Sequence, residues 1–505
     1  MEAGLSWERG AQGVRSMVAV RRMQEGHASS GEGGQCRVFF ADLGRRQVVG
    51  GFDGGSISSD GGAVLLSAAD KRERIIERFS QCFTDHRNPE LIEHSVRELI
   101  AQRVYGIALG YEYLNDHDEL RGDPLLGVVV GKEDPTGANR RREQDRGKAL
   151  GGKSTLNRLE LTGADAGPHS RYKKIVLNEE AAARFLVESF LAAVGDEPSE
   201  IILDIDATND PVHGEQEGRY FQGYYDQYCF LPLYIFCGEP LLLARLRPGW
   251  VDATQGALED LERIVGQIRQ RWPKVHILVR GDAAFAREEI MAWCEKTPGV
   301  DFVFGLAKNP RLERLLERTM FWAKVRHVLT GVAAREFDEF QYQTLDSWSR
   351  PRRVIGKAEV SAGGENPRLV VTSLEPQHSY KEAQEIYEQL YCARGDMENR
   401  IKEQQLDLFA DRTSCNTLRA NQIRLYMASV AYVLMQALRR LGLARTKMAK
   451  AQCSTIRNKL LKIGAHLRLT VRKVWISFSS AYPYKELFLQ VHRAITGRQA
   501  QAQAP

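Results

Sequence analysis

The sequence lacks several features that would place it in a membrane or in an oxidising compartment. Its eight cysteines include no C-x-x-C pair and no histidines at metal-ligand spacing, which predicts reduced thiols and argues against a structural zinc site. The longest apolar stretch, CFLPLYIFCGEPLLLARL, is broken by Gly238, Glu239 and Pro240 and is typical of two strands, not of a membrane span. The N-terminus has no continuous apolar signal core. These absences predict a cytoplasmic protein that makes no use of a membrane.

The C-terminal end is nearly devoid of acidic residues. From Arg439 to Arg493 there are thirteen Lys or Arg residues against one acid, Glu486. Aromatic residues are interleaved with these cations, namely Trp475, Phe478, Tyr482 and Tyr484. A solvated helical surface is one interpretation, but the imbalance favours a polyanionic partner.

The stretch GKALGGKS, residues 147–154, fits the phosphate-loop pattern G-x-x-x-x-G-K-[ST]. That pattern holds a nucleotide only where an apolar strand feeds the loop and a helix leaves it. The preceding residues, NRRREQDR, are charged and turn-forming, so we interpret the match as coincidence and expect no nucleotide cofactor. The basic loop, with Arg142 and Lys153, instead runs into a helix N-terminus and predicts a phosphate contact.

Hydrophobic periodicity divides the chain into regions. Residues 1–37 are polar and rich in Gly, Ser and Arg and are predicted to be a disordered extension; residues 38–196 carry helical patterns and are predicted to form a mainly α-helical domain. Residues 335–376 are typical of a β-rich insertion, and residues 439–505 of a basic helical region with a disordered tail.

Between these regions, strand patterns alternate with helices. The runs IILDIDATN, CFLPLYIFCG and PLLLARLRPG predict three mostly antiparallel strands, and HILVRGDAAF and DFVFGLA predict parallel strands that follow crossover helices. We therefore predict an α/β protein with a ribonuclease-H-like core at residues 197–334 and 377–438, interrupted by the β-rich insertion.

Three carboxylates stand at the places where this core would hold metal ions. Asp206 lies on the first core strand with Asp204 two positions earlier on the same face, Asp282 ends the fourth strand, and Glu398 lies on a later helix. Two divalent cations need hard oxygen ligands that converge from rigid elements. The alternative for each acid is a capped turn or an ion pair.

The segments LDIDATNDPVHG, RGDAAFAREEI and YCARGDMENRIKEQQLDLFADRTSC resemble DDE-type transposases of bacterial insertion sequences, most closely the insertion-sequence-1380 group. The resemblance runs from about Gly50 to the basic C-terminal region. It implies that Asp206, Asp282 and Glu398 are the catalytic, metal-binding acids. Asp204 is then a supporting carboxylate, or the first ligand if Asp206 points away.

The resemblance also implies DNA contacts by the α-helical domain at residues 38–196, by Arg142 and Lys153 in the basic loop, and around the third acid. The wider class surrounds its glutamate with Y-x-x-R-x-x-x-E, which Tyr391, Arg394 and Glu398 match, followed by a Lys where this chain has Gln405. Lys402, one helical turn after the glutamate, is the candidate replacement. Trp348 in the insertion either stacks on an unpaired base or packs against the sheet.

The resemblance thus implies an enzyme that cuts the element ends with Mg²⁺, for which Mn²⁺ can substitute, and joins their 3′-hydroxyls to target DNA. Its expected partners are the terminal inverted repeats, target DNA and a second copy of the chain, at the bacterial nucleoid. Two alternatives remain open: a catalytically silent DNA-binding relative, and a phosphate-loop nucleotide-binding protein.

Overall fold

The computed structural model describes residues 37–375 and 382–497. The expectations of disorder for the N-terminal extension and the C-terminal tail concern residues outside these ranges, apart from their inner edges. The chain forms two compact units, Met1–Gly55 and Ser56–Pro505. The described part of the first unit is an antiparallel hairpin of two strands.

The described strands, numbered along the chain, are β1 (Arg37–Leu43), β2 (Arg46–Gly51), β3 (Ser56–Ser58), β4 (Phe83–Asp85), β5 (Ile175–Leu177), β6 (Glu200–Ala207), β7 (Asp210–Pro211), β8 (Tyr220–Gln222), β9 (Gln227–Phe230), β10 (Leu233–Phe236), β11 (Leu241–Arg245), β12 (His276–Gly281), β13 (Val300–Leu306), β14 (Ala334–Tyr342), β15 (Arg352–Ser361), β16 (Gly364–Glu365), β17 (Arg368–Thr372), β18 (Ala465–Leu469) and β19 (Val474–Phe478).

The described α-helices are α1 (Ala63–Glu73), α2 (Ile75–Ser80), α3 (Val96–Leu109), α4 (His117–Leu120), α5 (Pro124–Val130), α6 (Lys153–Glu160), α7 (Glu179–Val194), α8 (Ala257–Arg271), α9 (Glu288–Lys296), α10 (Pro310–Thr330), α11 (Ala383–Glu385), α12 (Gly395–Lys402), α13 (Leu418–Leu438), α14 (Cys453–Ile456) and α15 (Lys485–Thr496). In the described ranges, no helix is both long and apolar enough to cross a membrane.

The largest sheet of the described residues has nine strands, in the order β11-β10-β6-β12-β13-β17-β15-β14 with β16 beside β15. Strand β10 is antiparallel to both β6 and β11, whereas β12 is parallel to both β6 and β13. These directions are the predicted ones. The amphipathic helix α8 crosses over before β12 and packs its apolar residues, including Leu261 and Ile264, into the cluster that covers the sheet.

The β-rich segment predicted at residues 335–376 extends this same sheet. Strand β17 pairs antiparallel with β13, and β15 joins β17 to β14. Apolar residues of the segment, such as Val354 and Val371, belong to the same buried cluster as the core strands. Strand periodicity located the segment but carried no information on which edge it would pair with.

The helical half of the chain is built around the buried helix α13, which packs against α1 and α3. Helix α3 begins with a capping box: the Ser95 hydroxyl accepts a hydrogen bond from the Glu98 amide at 3.2 Å, and the Glu98 carboxylate accepts one from the Ser95 amide at 2.8 Å. The C-terminal region was expected to be helical; it contains the helices α14 and α15, but also the strands β18 and β19. They form a hairpin that pairs with β3.

Candidate functional site

Asp206 and Asp282 lie at the same edge of the central sheet. Strands β6 and β12 are parallel neighbours in which Ile205 is opposite Gly281, so the next residue of each chain segment is one of the two aspartates. Asp282 also begins the short helical turn 283–285, because its Oδ1 accepts a hydrogen bond from the Ala284 amide at 2.9 Å. Parallel pairing therefore brings two acids together that are 76 positions apart in the sequence.

Arg394 connects the third acid to the first. Its Nη1 lies 3.5 Å from Asp206 Oδ2, and its Nη2 lies 3.3 Å from Glu398 Oε1. Arg394 and Glu398 are four positions apart along the helical segment that contains α12, so they share one face. The Glu398 side chain is about half exposed, at 49%, whereas that of Asp206 is 15% exposed. The three predicted acids are thus grouped around one guanidinium.

The electrostatics of this group are unfavourable for the Asp206 anion. The pKa of Asp206 is raised to about 7, mainly by burial and also by the charges of Asp282 and Glu398, while the charge of Arg394 opposes the shift. A carboxyl that is disfavoured as an anion gains most from a nearby positive charge. The site therefore concentrates negative charge that one guanidinium only partly offsets.

Asp204 has a different role from Asp206. Its carboxylate forms a two-point ion pair with Arg280 on β12, with Nε–Oδ1 at 2.5 Å and Nη2–Oδ2 at 2.8 Å. Both side chains are about 95% buried. Arg280 Nη1 also donates to the Leu390 carbonyl oxygen. These bonds, called the Arg280–Asp204 clasp below, connect β6 and β12 to the segment that leads into Arg394 and Glu398.

The prediction missed Arg280. A signal was present in the sequence, because HILVRG places an arginine inside an otherwise apolar strand. An arginine buried in this way requires hydrogen-bond acceptors, and a carboxylate is the acceptor that also compensates its charge. The identity of the partner, Asp204, depends on the pairing of β12 with β6, which no local pattern specifies.

Tyr391 lies against the backbone next to the second acid. A methyl group on Gly305 would be 2.6 Å from the Tyr391 hydroxyl oxygen and 2.9 Å from the Ala283 nitrogen. Burial raises the pKa of Tyr391, so the hydroxyl remains protonated and can donate a hydrogen bond. Gly305 is therefore a residue whose lack of a side chain makes room for Tyr391, and no sequence pattern indicates this role.

The remaining predicted contacts are distributed differently. Lys402 is exposed at the end of α12, and Lys153 is exposed at the start of α6, 3.5 Å from an Asp118 carboxylate oxygen. Arg142 is exposed in the loop before α6. Residues 131–152 contain no strand, so no strand leads into the segment that matches the phosphate-loop pattern. Arg394 forms ion pairs with Asp206 and Glu398, and these pairs include neither Arg142 nor Lys153.

Trp348 is the clearest correction among the predicted DNA contacts. It is only 6% exposed, packs edge-on against Tyr342 at 5.7 Å and lies under the Arg352 guanidinium. The ring belongs to the apolar cluster beside the sheet. The packing alternative is the one observed, because an indole in a loop is stabilised more by burial than by exposure to solvent.

Among the described residues, no group of three Asp, Glu, His or Cys side chains is close enough to hold a metal ion. The donor set nevertheless fits a hard divalent cation, since it consists of carboxylate oxygens and includes a buried carboxyl whose pKa is raised to about 7.

Comparison with known proteins identifies the family of the chain. No curated protein matches the chain. A solved structure described as a cryo-EM structure of piggyBac transposase synaptic complex with hairpin DNA is similar at a TM-score of 0.36 and 11% identity, over 79% of each chain. The family model described as Transposase DDE domain group 1 matches residues 40–500. The chain therefore belongs to the Transposase DDE domain group 1 family.

Proposed function

We propose that this chain is the transposase of a bacterial insertion sequence of the insertion-sequence-1380 group. In this proposal the strands β11-β10-β6-β12-β13 form a ribonuclease-H-like core. The observation that carries the proposal is the grouping of Asp206, Asp282 and Glu398 around Arg394 at one edge of the sheet. The family membership and the strand directions support it.

The three acids are proposed to hold Mg²⁺, with Mn²⁺ as a substitute. When bound, the metal ions would activate a water or 3′-hydroxyl nucleophile and stabilise the leaving oxygen. Arg394 orients Glu398 and, once a cation compensates the carboxylates, is free to contact a DNA phosphate. Asp204 and Arg280 hold the Arg394 segment against the sheet, and the Tyr391 hydroxyl is a hydrogen-bond donor beside Asp282.

The proposed substrates are the terminal inverted repeats of the element and target DNA. Lys402, Arg142 and Lys153 are exposed cations and are proposed to contact DNA phosphates. The two ends must be held together for joining, so a homodimer on DNA is proposed. The proposed location is the bacterial cytoplasm, at the nucleoid.

The test uses purified protein and labelled duplexes tiled across the DNA that borders the gene. We expect strand cleavage that requires Mg²⁺ or Mn²⁺, does not respond to ATP and occurs at one position at each element end. Asp206→Asn, Asp282→Asn and Glu398→Gln should each lower the cleavage rate by about a hundredfold or more while end-binding persists.

The silent-relative alternative has a definite signature in the same experiment. It predicts end-binding with no metal-dependent cleavage, and unchanged behaviour of all three variants. Cleavage that survives Asp282→Asn would contradict the assignment of the acids, and cleavage that requires ATP would contradict the absence of a nucleotide cofactor.

A further inference from the structure

The C-terminal part of the chain contains a stretch without acidic residues, which begins well before the basic segment at residues 439–493. No Asp or Glu occurs between Asp411 and Glu486. Many cations of this stretch have internal partners: Arg439 pairs with Glu403 at 2.5 Å, Lys462 pairs with Asp60 at 2.6 Å, and Arg457 donates to the Ala108 carbonyl at 2.9 Å. These cations stabilise the fold and are not available to a partner.

The cations of the β18–β19 hairpin differ from these. Arg468 on β18 and Arg472 and Lys473 in the turn are exposed, and none of the three has an ion-pair partner among the described residues. The turn also contains Val471, whose side chain is fully exposed. Three uncompensated charges at the end of a hairpin form a local positive patch.

The two faces of the hairpin are distinct. Ala465 and Leu467 are buried on the inner face, and the outer face carries His466 and Arg468, with Ser477 and Trp475 directly opposite them. Trp475 is 37% exposed. It lies between two cations, with Arg468 Cζ 5.8 Å and Lys473 Nζ 5.3 Å from the ring centroid. The outer face is therefore an aromatic ring flanked by positive charges.

We infer that the outer face and turn of the β18–β19 hairpin bind duplex DNA, with Arg468, Arg472 and Lys473 on backbone phosphates and Trp475 against the groove wall. This inference rests on the proposed function for the nature of the polyanion. A two-stranded ribbon fits the major groove of B-form DNA, which is about 12 Å wide. The inference replaces the expected basic helices with a β-ribbon as the DNA-contacting element.

The experiment measures binding of the full chain to a fluorescein-labelled random-sequence duplex of about 40 base pairs over roughly 50–200 mM salt. Substitution of Arg468, Arg472 and Lys473 by Ala should make the slope of log K against log salt shallower by about 2.7, because about 0.9 counterion is released per phosphate contacted. Trp475→Ala should weaken binding several-fold without a change of slope, because it removes no charge.

The matched control replaces three exposed arginines of α10, Arg311, Arg314 and Arg318, which also have no ion-pair partner among the described residues. It changes the net charge equally, so an equal effect of both triple variants would overturn the inference. Because all six residues are exposed, unchanged melting temperatures are expected for both variants.

Two further outcomes are decisive. If the hairpin variant changes the sedimentation of the free protein and not its salt slope, the hairpin edge pairs with a second copy and the inference is overturned. If the unsubstituted chain binds no DNA at all, the proposed function fails together with the inference. Retention of binding and slope by the hairpin variant overturns only the inference.

Discussion

The Arg280–Asp204 clasp offers a quantitative test of how the candidate site is held together. In Arg280→Met the methionine fills similar space but leaves the Asp204 carboxylate without a cation and the Leu390 carbonyl without its donor. Both members of the pair are about 95% buried. Removal of one partner of a buried ion pair costs about 3–5 kcal/mol, so we expect that loss in the free energy of unfolding.

A second substitution should reverse part of the loss. Asp204→Asn in the Arg280→Met background removes the buried charge and leaves only unpaired neutral polar groups, which cost about 1–3 kcal/mol. The double variant should therefore be more stable than either single variant. Urea unfolding followed by tryptophan fluorescence measures this, because Trp272 and Trp348 lie in the apolar cluster beside the sheet.

The control is an exposed pair of the same chemistry. Arg287 and Asp252 lie 3.1 Å apart with side chains more than half exposed, so Arg287→Met should cost at most about 1 kcal/mol. If Arg280→Met lowers the free energy of unfolding by no more than the control does, the Arg280–Asp204 pair does not stabilise the fold as expected. The same conclusion follows if the double variant is less stable than both single variants. The folded Arg280→Met protein should also cleave DNA more slowly, because Leu390 precedes Tyr391 and Arg394 on the same helical segment.

Three other predictions follow from single positions. Gly305→Ala should lower the rate of metal-dependent cleavage at least about tenfold, because the added methyl group displaces Tyr391. The control is Gly395→Ala, whose added methyl group meets no atom within 4 Å and should leave the rate unchanged. Equal rates for the two variants would refute the close approach of Tyr391 to Gly305. Trp348→Ala should lower the free energy of unfolding in urea by about 3–5 kcal/mol, and a purely DNA-dependent defect would contradict its buried role. Burial, with Arg103 nearby, lowers the pKa of His117 to about 3, so the unfolded state takes up a proton first as the pH falls below about 6.5. Stability should then decline by about 1.4 kcal/mol per pH unit from this group, and the decline should be shallower in His117→Gln when urea unfolding is repeated at each pH.

The parts of the fold that could be predicted are those encoded by local patterns. The strand over LDID and the strand over HILVRG are apolar runs that end in acids, and parallel pairing of the two brings Asp206 next to Asp282. The position of Glu398 relative to them required a tertiary contact that no periodicity specifies. Arg394 provides that contact, and the resemblance identified the residue without indicating its bridging geometry.

Long-range pairing explains most of what could not be predicted. The residues of β3 and β18 are about four hundred positions apart, and the short, largely exposed strand β3 has no pattern that distinguishes it from a turn. Likewise, the alternation of β15 predicts a strand but is equally compatible with a separate sheet and with an extension of the central one. Edge choice is a property of the assembled sheet, because it depends on which backbone groups remain unpaired.

Gln405 shows how a position can keep its importance while its chemistry changes. The wider class was expected to have a lysine there, and here the Gln405 side chain donates to the Asn209 carbonyl oxygen at 3.3 Å. Asn209 follows the first acid motif, so this bond ties the third-acid helical segment to the loop after β6. A lysine that makes the same bond would place an extra charge in this half-buried position, whereas an amide makes it without one. Lys402, exposed three positions earlier, keeps a cation on this segment where solvent or a phosphate can balance it. Under the proposed function, the structural bond made by Gln405 and the phosphate contact proposed for Lys402 are divided between two residues.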